Sequence, residues 1–164
     1  MKIFILFVCS SLLTIFSSAL FPKISIFFFI PFLVFVFFKK NFIQTLFWAF
    51  FCGLIVDLFS SKHFGIFSFS YVLMSFLLFS KKRFFKETPF NIAIFSSIAS
   101  FVFTIIFVLL SLIFNSVVKI SFLFVISDLI IMPILDGIYA FLFFTILVKF
   151  ISFIERNYFS KKNI

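Results

Sequence analysis

The sequence predicts an all-α, polytopic membrane protein of about six transmembrane helices with both termini on the cytoplasmic side. Three observations predict it: how apolar the chain is, how its apolar runs are spaced, and where its basic residues fall. Of 164 residues, 65% are apolar and the mean hydropathy is +1.37. Average usage is about 45–50% apolar, and a chain this short has too little interior to hide the excess from water. Lipid is the remaining cover. Charged residues make up only 12%, and they cluster between apolar runs.

The chain reads as a single integral membrane domain, residues 1–164. Its first apolar run covers 3–21. The second, 24–38, carries Pro31 and is short for a span, since about 20 residues are needed to cross the hydrocarbon. The third and fourth cover 42–59 and 64–79, and the fifth, 90–114, is the longest uninterrupted one. The stretch that follows is too long for one untilted helix, so it divides. Residues 121–131 form an interfacial or re-entrant piece, and 132–153 form the last span. Pro133 suits the first turn of that span, where a missing N–H costs no hydrogen bond.

Charge fixes the orientation. With six spans, 11 of the basic residues fall at one set of ends, including Lys39, Lys40, Lys81, Lys82 and Arg83, and only Lys23, Lys62 and Lys119 fall at the other. Cytoplasmic loops carry the excess of Lys and Arg, so both termini are expected in the cytoplasm. Lys2, the apolar run and Ser17-Ser18-Ala19 also resemble a cleavable secretory signal. An uncleaved first helix accounts for them better, because the run exceeds an ordinary signal core and another span follows.

Several function classes lack their parts. The net charge of +9 is distributed as topology marks, so no nucleic-acid partner is expected. The 37 phenylalanines are spread over every apolar run, as in a genome whose codon usage puts Phe where Leu would serve. Cys9 and Cys52 have no CxxC spacing and no nearby histidine, and His63 is the only histidine; no metal or cofactor is expected. No HExxH, GxSxG or Walker-type loop occurs, and the chain is not expected to be an enzyme.

What remains is a set of acids in apolar surroundings. A carboxylate inside a membrane segment is costly and is a functional-site hypothesis by default. Asp57 lies near the outer end of the third span, within reach of water, Lys62 or His63. Gly53 is four residues before it, on the same helix face, where a glycine lets a neighbouring helix approach closely. Gly65 follows eight residues later. Asp136 and Gly137 come about one turn after Pro133, where a carboxylate would favour the positive end of a helix dipole. Asp128 reads as an interfacial residue. All three acids fall in the outer half of the membrane.

The hairpin AFFCGLIVDLFSSKHFGIFSFSYVLMSFLL resembles the central signature of the rod shape-determining protein MreD family. That signature is a glycine, an aspartate four residues on, a polar turn, and a second glycine eight residues after the aspartate. Gly53, Asp57 and Gly65 stand at those spacings, around Ser60-Ser61-Lys62-His63. Length, span count, the basic loop after the fourth span and the short basic tail agree more loosely. Asp136 departs from the family, whose members often carry a polar residue such as Asn there. The resemblance implies a non-enzymatic adaptor of cell elongation and peptidoglycan synthesis. Its partners would be a bitopic MreC-like protein, an MreB-like actin, and a SEDS glycosyltransferase with its class B penicillin-binding protein. On that reading the third and fourth spans present the Gly53–Asp57 face to a partner helix. A second reading is the substrate-binding S component of an energy-coupling-factor transporter, whose fold MreD-like proteins are thought to share. Asp57 and Asp136 would then touch a vitamin-like ligand.

Overall fold

The structure, a computed structural model, describes residues 2–20, 29–60, 64–114, 126–143 and 145–146. Among these the chain is all-helical, with six α-helices: α1 (Lys2–Leu20), α2 (Phe29–Lys39), α3 (Phe42–Phe59), α4 (Ile66–Phe79), α5 (Pro89–Ile113) and α6 (Met132–Phe143). A 3₁₀ turn, Ser80–Phe84, links α4 towards α5, and a π-helical turn, Ser127–Ile131, runs directly into α6. Two of the helices, α3 and α5, are long and apolar enough to cross a membrane. The 25 residues of α5 span about 37 Å at 1.5 Å per residue.

The core is organised around α2. Every residue from Phe29 to Phe37 is buried, and the helix touches α1, α3, α5 and α6. A helix apolar all round has no polar face to offer solvent and belongs in an interior. Sequence reading takes 24–38 as a marginal span. The described helix is a central strut of 11 residues, about 16 Å long; residues 24–28 lie outside the described residues. Around it, α3 pairs with α4 and α5 with α6 in the two most extensive contacts, and α4 on α5 joins the pairs.

Ring contacts fill the joints. Trp48 of α3 meets Phe7 of α1 and Phe32 of α2 edge-on, with centroids 5.1 and 5.6 Å apart. Phe37 of α2 meets Phe95 of α5 at 6.0 Å. The outward faces are also apolar: Phe47, Phe69, Phe76, Leu109, Ile138 and Leu142 are all exposed. Several hydroxyls in these helices return their proton to the carbonyl four residues earlier, as Ser70 does to Ile66 and Thr104 to Ser100. That satisfies them without water.

The last helix starts differently from the sequence expectation. Pro133 is not in a first turn, because helical backbone precedes it from Ile126. Proline inside a helix loses a donor and crowds the carbonyl four residues back. The backbone answers with a widened turn: Met132 N donates to Ser127 O, five residues earlier. Residues 127–131 are thus helically continuous with α6; residues 121–125 lie outside the described residues. Of the expected span 132–153, the described part is Met132–Phe143 and residues 145–146.

Candidate functional site

The three residues of the hairpin signature form one mechanical unit. Gly65 takes φ +96°, the left-handed region, and with no atom within 4 Å of the place a Cβ would occupy its requirement is purely conformational. It is also the N-cap of α4 and, as glycine, has no side chain to cap with. Asp57 supplies the missing cap from α3. Its carboxylate accepts Phe67 N at 3.1 Å, Ser68 N at 3.0 Å and the Ser68 hydroxyl at 2.5 Å. The first N–H groups of a helix have no intrahelical partner, and a carboxylate there also meets the positive end of the dipole. Asp57 is buried, 3% exposed. Three donors offset the cost of placing it there.

Gly53 makes that geometry reachable. A Cβ on it would lie 2.7 Å from Ser68 N and closer still to Ser68 Cα. The backbones of α3 and α4 are therefore in direct contact one turn from the carboxylate. The sequence reading offers this face to a partner helix, and Asp57 to water, Lys62 or His63. The face is instead filled by α4 of the same chain, because only that approach brings the α4 amides to the carboxylate. Residues 61–63, including Lys62 and His63, lie outside the described residues.

A second clasp joins α5 to α6. Asp136 is fully buried and accepts a hydrogen bond from the Ser100 hydroxyl. Its neighbour Gly137 abuts Ser97, and a Cβ there would overlap the Ser97 hydroxyl and sit 3.2 Å from the Ala93 carbonyl oxygen. Asp136 lies within the helical run from Ile126, not at its start, so a hydroxyl partner replaces the expected dipole role. Tyr71 is buried on α4. Asp128 sits half-buried on the π-turn. Among the described residues no three acids, cysteines or histidines group as metal ligands would.

Sequence reasoning missed the serines. Ser68 and Ser100 are the acids' partners, and Ala93, Ser96, Ser97, Ala99 and Ser100 are a run of small residues on an apolar helix. Such a run is itself a signal of close helix packing.

The opposite end of the α3–α4 hairpin is basic. Lys82 Nζ donates to Phe37 O at 2.6 Å and Lys40 O at 3.4 Å, closing the C-terminal end of α2, and stands 3.8 Å from the Phe79 ring centroid. Burial, and then the Arg83 charge, hold its ammonium below the usual lysine range. Lys39 pairs with Glu87 at 2.6 Å. Thr88 caps α5 by accepting Asn91 N at 3.3 Å, with Pro89 opening the helix.

These features define a class: an all-helical apolar bundle whose buried acids hold helix pairs together. No family model, curated protein or solved structure matches the chain.

Proposed function

We propose that the chain is a non-enzymatic adaptor of the bacterial cell-elongation machinery, of the MreD kind, embedded in the cytoplasmic membrane by six spans. The observation that carries this reading is the clasp itself. Gly53, Asp57 and Gly65 stand at the family's spacing, and each has a distinct mechanical reason for its identity at one helix junction. A vitamin-binding S component would need Asp57 free to face a ligand. Its carboxylate already accepts three donors within the chain, which favours the adaptor.

With the Gly53 face occupied internally, the surface assigned to the MreC-like partner's single transmembrane helix is the seam between α5 and α6. That groove holds about 420 Å³, has Ala93, Ser97 and Gly137 at its floor, and is walled by Ile94, Ile138 and Phe141. A floor of small residues lets a helix backbone approach closely, which drives helix association in lipid.

The test is affinity purification of the tagged full chain from native membranes. The adaptor reading expects an MreC-like protein and the synthase pair to co-purify. Photo-crosslinkers at Ile94 or Ile138 should capture the bitopic protein, whereas those at Phe47 or Phe51 on the far face of α3 should not. A stoichiometric small molecule with no MreC-like protein would overturn the reading in favour of the transporter component.

A further inference from the structure

Two basic turns separated by the whole α3–α4 hairpin meet at one end of the bundle. Between them is a cleft of about 530 Å³. Lys40, Lys82 and Arg83 line it, with Asn41 and Ser80, and no carboxylate does. The one acid of these turns, Glu87, is paired with Lys39. Lys40 makes no ion pair among the described residues. Lys82 spends two N–H groups on Phe37 O and Lys40 O, and an ammonium has three. Arg83 is exposed with its donor fork available.

The cleft also holds the start of α3. Its N-cap, Asn41, makes no side-chain cap bond, so the first-turn amides of α3 have no acceptor from their own cap residue. An uncapped helix start beside three cations favours an anion with several acceptor oxygens.

The other wall is hydrocarbon. Phe42, Phe76 and Phe79 line the same cleft, with Phe42 5.9 and 5.2 Å from the other two rings. On the same helix Ile43, Phe47 and Phe51 are exposed at four-residue spacing. A charged, ring-walled mouth on a helix that also carries an exposed apolar stripe matches an amphiphile better than a free anion. We propose that the cleft binds an anionic phospholipid, its phosphate held between Lys40, Lys82 and Arg83 and one acyl chain lying along the α3 stripe. Basic pockets between helices at the cytoplasmic side take headgroups in this way. The inference does not depend on the adaptor reading.

The experiment titrates the purified full chain with phosphatidylglycerol or phosphatidylcholine and reads bound lipid by native mass spectrometry. Phosphatidylglycerol should bind at least about tenfold more tightly, each cation near a headgroup phosphate counting for about a factor of five. The K40Q/R83Q variant, which leaves the Lys82 closure of α2 intact, should weaken it about 30-fold with an unchanged unfolding midpoint. K81Q/K86Q removes the same charge from the same loop region outside the cleft and should change binding less than about twofold. Equal weakening by both pairs would overturn the site, and so would equal binding of the two lipids. If inorganic phosphate or glycerophosphoglycerol binds as tightly as the intact lipid, the ligand is a free phosphate and the lipid assignment fails. In the unaltered chain, a photoreactive phosphatidylglycerol should label residues 42–51; labelling confined to α5 and α6 would also overturn the proposal.

Discussion

Replacing Asp57 with alanine removes the acceptor of three donors at once. Phe67 N and Ser68 N would be left unpaired at a buried helix start, and each orphaned donor costs about 1–3 kcal/mol. The Ser68 hydroxyl can recover a bond to a carbonyl one turn back. Removing the carboxylate also relieves its own desolvation, so the net loss should be about 2–4 kcal/mol, at or above the upper end for helix caps. Asp57→Asn keeps one acceptor oxygen but turns an amide donor towards other donors, and should cost about 1–2 kcal/mol. The assay is reversible unfolding of the purified chain in mixed micelles, followed by far-ultraviolet circular dichroism. The order expected is parent, then D57N, then D57A. A D57A variant within about 0.5 kcal/mol of the parent would refute the reasoning, since surface substitutions alone fall in that band. A double-mutant cycle with Gly53→Ala sharpens the test. Opening the α3–α4 contact already breaks the cap, so the two losses should fall short of additive by about 1 kcal/mol or more. Strict additivity would show that the glycine and the acid are not one unit.

Other substitutions should separate the parts. Gly53→Ala meets the Ser68 backbone and should cost about 2–3 kcal/mol, as overpacking against unyielding atoms does. Gly137→Ala meets chiefly a rotatable Ser97 hydroxyl and should cost clearly less in the same unfolding assay. Gly65→Ala should cost roughly 1–2 kcal/mol for the left-handed conformation alone, with Gly65→Asn milder; equal midpoints for the two would count against the conformational account. Ser100→Ala should destabilise the α5–α6 pair by about 1–2 kcal/mol, read as earlier amide exchange in α6 than in α4. Glu87→Gln breaks only the exposed pair with Lys39 and should shift the unfolding free energy by less than about 0.5 kcal/mol.

The hairpin shows how far sequence carried. Helix α3 occupies the apolar run read as 42–59, and α5 lies within one residue of the run read as 90–114. Spacing alone put Gly53 and Asp57 on one face. It did not say what that face meets, because residues 57 and 68 are joined by a turn whose path depends on Gly65 taking positive φ. The serines were hidden for a related reason: a serine in an apolar helix reads the same whether it bonds its own backbone, as Ser70 does, or a carboxylate across a helix junction, as Ser68 and Ser100 do.

By itself the sequence determined the helical class, the apolar runs and the charge asymmetry, because these follow from composition and local periodicity. It also marked the acids as exceptional, since a carboxylate among phenylalanines is costly wherever the chain goes. Only the tertiary structure decided that α2 is an interior strut, that Pro133 lies within a helix relieved by a π-turn, and that Lys40, Lys82 and Arg83 share one cleft. Each of these depends on which helices are neighbours. Neighbours are chosen by close approach at glycine and serine and by the pairing of buried polar groups, and neither has a period along the chain.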